Sequence, residues 1–193
     1  MSTETLLSIM VGVGLSAACG FRVFVPLLIM SIASHSGNLT FSEGFQWIGS
    51  FPALLAFAVA TVLEVLGYYI PWVDHILDLA ATPASVIAGT LVMASAVSGM
   101  SPFLRWSLAI TAGGGVAAAV QTFTSVARLT STATTGALAN PIVASAELGI
   151  AAFLSALAVI FPLAAVAVVL AIFYFIGRRF FKARGPRLTA KTP

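Results

Sequence analysis

The sequence predicts an all-α integral membrane protein of about six transmembrane helices. Three observations predict it. Of its 193 residues 60% are hydrophobic and only 8% are charged, with a mean hydropathy of +1.07, whereas about a quarter of the residues in an ordinary soluble domain are charged. Apolar runs long enough to cross a hydrocarbon core of about 30 Å recur along the chain. Polar residues are too few to alternate with apolar ones as the wall of a β-barrel requires.

The first span is predicted from Leu6 to Ser34. It opens on Gly12, Gly14, Ala17, Ala18 and Gly20 and then carries Arg22 and Pro26. A polar loop follows, His35 to Ser50, with Glu43 and no Lys or Arg. The second span, Phe51 to Ile70, contains Glu64 and closes on Tyr68 and Tyr69, an interfacial aromatic pair. A short amphipathic helix is expected over 71–81, because Pro71 suits a first helical position and Thr82-Pro83 would end it. The third span, Thr82 to Val97, breaks at Ser98-Gly99-Met100-Ser101-Pro102, and the fourth runs from Trp106 to Ala127 through Gly113-Gly114-Gly115. After a polar stretch from Arg128 to Asn140, the run Pro141–Ile176 would be about 54 Å long as one helix, too long for one crossing. Two spans turning near Phe161-Pro162 fit it.

These segments make one transmembrane domain, residues 1–177, with halves 1–98 and 99–177, followed by a basic tail, 178–193. A re-entrant third segment would reduce the count to five spans. Gly12-Val-Gly-Leu-Ser-Ala-Ala echoes Gly113-Gly-Gly-Val-Ala-Ala-Ala. Either the halves form a 3+3 inverted repeat, or small-residue helices look alike because all pack closely. The first residues lack the basic region and cleavage site of a signal peptide, so the first helix is expected to be retained.

The net charge of +3 comes from the tail, where Arg178, Arg179, Lys182, Arg184, Arg187 and Lys191 are six of the nine basic residues. Such a tail is cytoplasmic by the positive-inside rule and is no nucleic-acid surface. With six spans both termini would be cytoplasmic, the His35–Ser50 loop outside, and the 71–81 helix and the Arg128 stretch inside. The single cysteine, Cys19, excludes an intramolecular disulfide or a multi-cysteine metal or haem motif, and reads as a small packing residue.

Chemistry-bearing residues are few. Asp74, His75 and Asp78 fall within one arc of a helix at about 100° per residue. They form either the wet face of a surface helix or a cation or proton site, since carboxylates four residues apart repel unless a proton, a metal or an arginine lies between them. As metal ligands they are weak candidates, three donors on one short helix. Arg22, mid-span, costs at least roughly 2.5–3.5 kcal/mol to insert unless paired. It is either half of a structural ion pair or an anion-binding group, with Glu64 and Glu147 as membrane-depth partners. Those two glutamates either carry protons or hydrogen-bond across helices. Gln121 and Arg128 belong to a polar run that either lines an aqueous path or bonds back within its own helix. No Gly-x-Ser-x-Gly elbow, His-Glu-x-x-His or phosphate loop is present, His35 reads as a solvated loop residue, and no enzyme activity or cofactor is expected.

The string Gly-Leu-Ser-Ala-Ala-Cys-Gly-Phe-Arg-Val-Phe-Val-Pro-Leu-Leu, followed by Glu64, Pro71-x-x-Asp74-x-x-x-Asp78 and Thr82-Pro83, resembles a family of small membrane proteins of bacteria and photosynthetic organisms, domain of unknown function 4126. Thr134-Thr-Gly-Ala-Leu-Ala-Asn-Pro141, then Glu147 and a basic tail, continue the likeness over nearly the whole chain. The resemblance implies a polytopic protein of the bacterial inner membrane and carries no catalytic residue.

Two functions are therefore expected. One is a small inner-membrane transporter or channel-like protein whose site (Arg22, Glu64, Asp74, His75, Asp78, Gln121, Arg128 and Glu147) takes a cation, a proton or a small anion. The other is an accessory or structural subunit that contacts lipid or a membrane complex through the faces around Gly12–Gly20 and Gly113–Ala119. The lipid bilayer is the expected partner, together with a second copy of the chain or a membrane complex.

Overall fold

The computed structural model describes residues 2–136 and 138–183, and it is all-helical over them. Seven helices follow in order: α1 Thr3–Cys19, α2 Phe24–His35, α3 Phe51–Gly67, α4 Pro71–Ala96, α5 Pro102–Thr135, α6 Asn140–Ile160 and α7 Pro162–Ala183. A 3-10 turn, Gln46–Gly49, leads into α3. The starts are written locally. Ser2, Ser50 and Ser101 accept from the amides of Thr5, Ala53 and Leu104, and a proline occupies the first positions of α3 to α7, where its missing N–H costs nothing. The expected turn at Phe161-Pro162 is present.

Three helices are long and apolar enough to cross a membrane: Trp72–Ala96, Pro102–Thr135 and Asn140–Ile160. Thr3–Cys19, Phe24–His35, Phe51–Gly67 and Pro162–Phe175 are shorter apolar helices. Outward faces are greasy throughout: Phe51, Leu55, Val59, Val62 and Leu66 line the exposed side of α3, and Leu163, Leu170, Tyr174 and Phe175 that of α7. A water-soluble monomer does not expose apolar surface on this scale.

The expected first span, Leu6–Ser34, is a hairpin. The chain turns at Gly20–Val23, and α2 returns to the end of the bundle where α1 began. Three contacts show it. Thr5 lies against Gly99, the Ser98 amide donates to Ser8 Oγ at 3.5 Å, and the Ser42 amide, beyond α2, donates to Ser95 O at 2.8 Å. Glu4, Leu7 and Ser8 of α1 thus share one groove with Asn38, Leu39 and Thr40 from beyond α2. The α3–α4 turn (Tyr68, Tyr69) meets the α5–α6 turn (Gly136, Leu138) at the opposite end. There α7 also arrives, since it runs antiparallel to α6, with Ala158 near Ala165 at one level and Ile150 near Ile172 at another. The beginning of α1 and the far end of α7 therefore lie at opposite ends of the bundle. The expectation of both termini on one side fails because one apolar run is two helices.

The second correction concerns 71–81. No separate amphipathic helix forms; α4 is continuous from Pro71 to Ala96 with Pro83 inside it. The proline leaves the Leu79 carbonyl without its helical donor, a loss that membrane helices tolerate when neighbours pack around it. The third segment is accordingly full-length, and the segment that turns back on itself is the first. The fourth expected span, Trp106–Ala127, is the middle of the longer α5.

α1 occupies the centre, packed on α4, α5, α6 and α7, with Leu15, Ala17, Ala18 and Cys19 fully buried. Small residues let backbones approach. Ser16 Oγ donates to Gly89 O at 2.8 Å, and a Cβ on Gly20 would come within 2.7 Å of Ala117 O. Gly113 belongs to a π-helical turn, Ala109–Gly114, and a Cβ there would meet Met93 Cβ at 2.5 Å and Gly89 O at 2.6 Å. Among the described residues α5 takes no such central place, packing on α1, α4 and α6. The central packing of α1 is thus not repeated by α5.

Candidate functional site

The hairpin turn sets the depth of the site. Gly12 packs on Met93 and Ser16 on Gly89, so the antiparallel register of α1 on α4, carried on to Arg22, arrives at Pro83, halfway along α4. Arg22 therefore stands at the tip of the hairpin in the middle of the bundle, only 2% exposed.

Around it converge four of the chain's six acidic residues and two arginines. Arg128, on the last turns of α5, clasps Glu147 of α6 through Nε, at 3.1 Å to Oε1 and 3.2 Å to Oε2, and through Nη2. Its Nη1 donates to Asp74 Oδ1 at 2.8 Å and lies 3.5 Å from Asp78 Oδ1. Asn140, the first residue of α6, donates from Nδ2 to Asp74 Oδ2 at 3.1 Å. Arg22 Nη2 donates to Ala144 O at 2.8 Å and lies 3.6 Å from Glu147 Oε2. Glu147 thus joins the two guanidinium groups, and both also lie against the Tyr68 ring. Its centroid is 3.8 Å from Arg22 Cζ and 4.2 Å from Arg128 Cζ, a double cation–π contact.

Glu64 sits differently. Its carboxylate accepts from the backbone amides of Val23 (2.8 Å) and Phe24 (3.1 Å), so a side chain of α3 caps the N-terminus of α2. A carboxylate there satisfies donors the helix leaves free and meets the positive end of its dipole.

Asp74, Arg128 and Glu147 are all buried, and a desolvated ion pair holds only when its remaining donors and acceptors find partners. Most do. The exceptions are Arg22 Nε and Nη1 and Asn140 Oδ1, buried with no hydrogen-bond partner. Asp78 has the loosest contact of the four acids, and its side chain is 31% exposed. With every group ionised, two guanidinium and four carboxylate charges leave a net charge of −2, which favours a bound cation or proton.

Sequence-expected residues divide cleanly. Arg22, Glu64, Asp74, Asp78, Arg128 and Glu147 come together; His75 and Gln121 do not. His75 makes no contact with the arginines and lies exposed at the edge of the small end cavity, because one residue along a helix turns the side chain by about 100°. Gln121 is buried but donates only to Ser125 Oγ at 3.3 Å, while Thr122 and Thr124 bond back to carbonyls of their own helix. Among the described residues, Arg128 is the member of the Gln121–Arg128 run that reaches the site. Among the described residues no group of three His, Cys, Asp or Glu side chains is placed to hold a metal ion. Tyr68 and Asn140 were not expected. Tyr68 reads as an interfacial aromatic and Asn140 as a turn residue; no local pattern marks either as a partner of an arginine.

Two cavities flank the network. One, of about 380 Å³, lies between α3 and α4 and is walled by Val23, Phe24, Glu64, Tyr68, Leu77 and Ala81. The other, of about 160 Å³, lies at the far end against Tyr68, Asp74, His75, Leu138 and Asn140. Tyr68 borders both.

The fold and site together define a helical bundle with three helices long and apolar enough to cross a membrane and a buried charged cluster. The chain belongs to the family described as Domain of unknown function (DUF4126), which it matches over residues 9–182. No curated protein and no solved structure matches it.

Proposed function

We propose that the protein is a small transporter or channel-like protein of the bacterial inner membrane, and that the cluster of Arg22, Glu64, Asp74, Asp78, Arg128 and Glu147 is its site. The observation that carries this reading is the excess of carboxylates over guanidinium groups in the buried cluster inside the bundle. Charges in a bilayer are costly, and a purely structural pin needs no unbalanced acids. The excess suits a proton or a cation, and Arg22 beside it suits an anionic group.

In this arrangement the basic tail, the Tyr68–Pro71 turn and the Gly136–Asn140 turn face the cytoplasm. The α1–α2 hairpin enters from the other side, and α3 to α7 make five crossings. No repeat is invoked. Asp78, half-exposed and loosely held, is the group through which protons or ions exchange with the cytoplasmic side, and Tyr68 separates that side from the cavity between α3 and α4. Transport is tested by proton and cation flux in proteoliposomes. Glu64→Gln and Asp78→Asn are expected to abolish it while expression stays normal. Unchanged flux in both variants refutes the assignment, and a stable stoichiometric partner after mild solubilisation favours the accessory-subunit reading.

A further inference from the structure

Glu64 occupies a position built for a carboxylate rather than for this side chain in particular. The Val23 and Phe24 amides open α2, a helix of 12 residues, at the hairpin tip, and both donate to the Glu64 carboxylate. Arg22, one residue before them and fully buried, keeps Nε and Nη1 without hydrogen-bond partners. It lies on the ring of Tyr68, which also walls the cavity. The carboxylate lines that cavity as well. The rest of its wall is apolar: Ala60, Leu63, Val73, Leu77, Ala80, Ala81 and Ala84 join the two residues that supply the amides. Its volume of about 380 Å³ falls in the range of small-molecule sites, about 300–1,000 Å³. A greasy chamber with an anion-binding helix end and one displaceable acid in its wall, and a buried arginine beside Tyr68 just outside that wall, matches an amphiphilic anion.

We propose that the Val23 and Phe24 amides form a carboxylate subsite, filled in this structure by Glu64, which a lipophilic monocarboxylate takes over when Glu64 is protonated. The proton comes from the aqueous phase and ends on a Glu64 oxygen. The neutral acid loses its hold on the two amides, and the incoming carboxylate accepts from them with its chain lying between α3 and α4. One carboxylate replaces another, so the charge at the helix end is unchanged and one proton accompanies each anion. This rests on the transport reading above and supplies its substrate class.

The probe is radiolabelled octanoate, dialysed to equilibrium against the full chain in nanodiscs, with empty nanodiscs as the blank. Between pH 6 and pH 8 a simple carboxylic acid stays ionised, so a pH effect reports the protein. Wild type is expected to bind more tightly at pH 6 than at pH 8. Glu64→Gln, which mimics the protonated acid, is expected to bind at pH 8 at least about tenfold more tightly than wild type, with no pH dependence. Ala81→Leu, which fills the cavity from α4, is expected to lose octanoate while keeping its melting temperature. Glu64→Gln that binds no better than wild type at pH 8 overturns the proposal, as does Ala81→Leu that binds like wild type. If octanoate behaves as expected but flux is untouched in both Glu64→Gln and Asp78→Asn, the subsite stands and the transport reading falls. If flux is lost and octanoate ignores Glu64→Gln, the reverse holds.

Discussion

Replacing Arg128 by methionine removes the group that holds the cluster together. The side chain keeps most of its apolar length but loses every donor. Glu147 then loses its contacts with Nε and Nη2, and Asp74 loses its 2.8 Å bond to Nη1. Glu147 keeps only Arg22, at 3.6 Å, and Asp74 keeps only the amide of Asn140. Removing one partner of a buried pair typically costs about 3–5 kcal/mol, because the other charge stays behind without compensation. The whole stability of a domain is about 5–15 kcal/mol. In a chain of this length each kcal/mol moves the melting temperature by roughly 2–4 °C, so Arg128→Met should lower it by about 6–20 °C. Thermal unfolding of the detergent-solubilised protein measures this. Arg105→Met is the control, because Arg105 lies at the other end of the bundle and makes a long 3.4 Å bond to Glu43 O and a loose 5.8 Å contact over the Phe45 ring. It should shift the midpoint by no more than about 2 °C, in keeping with a weak peripheral contact. An Arg128→Met midpoint within that same range would mean that the cluster is solvated and not the dry network described above.

Other consequences follow from packing. Gly20→Ala places a methyl 2.5 Å from Val120 Cβ and 2.7 Å from Ala117 O, neither a flexible chain end, and should cost about 1–3 kcal/mol by thermal unfolding. Gly149→Ala, with nothing within 4 Å of the added carbon, should be neutral or stabilising by up to about 1 kcal/mol. Tyr68→Phe should keep stability, since the ring and not the hydroxyl lies against the guanidinium groups, whereas Tyr68→Leu should lose at least about 2 kcal/mol by chemical denaturation.

Much of the site was legible because charge is so scarce. A buried acid or arginine in such a chain has few partners to choose from, and Arg22, Glu64, Asp74, Asp78, Arg128 and Glu147 all proved to be neighbours. The division of the Pro141–Ile176 run was legible for a similar reason, since length forbids a single crossing and Pro162 marks the step. The hairpin was hidden because Gly20-Phe21-Arg22-Val23 carries one glycine and no polar turn cluster, while Leu6–Ser34 has the length of a single tilted span. Pro26 lies in the first turn of α2, where proline is tolerated. Pro83 misled in the opposite direction, because tertiary packing carries α4 through it. That Glu64 caps a helix some forty residues away, and that one Tyr68 ring meets two arginines, are long-range facts with no local signature.

The site exists as described only if the first apolar run turns back at Gly20–Val23, and two-sided labelling of single cysteines tests that directly. Thr3, Asn38 and Leu138 are exposed positions at the start of α1, beyond α2 and in the α5–α6 turn, while Cys19 is fully buried and can stay in place. A membrane-impermeant thiol reagent should label cysteines at Thr3 and Asn38 from the same face of sealed vesicles, and a cysteine at Leu138 from the opposite face. Labelling of positions 3 and 38 from opposite faces would make Leu6–Ser34 a single crossing, and the arginine-tipped hairpin with its cluster of acids would be wrong.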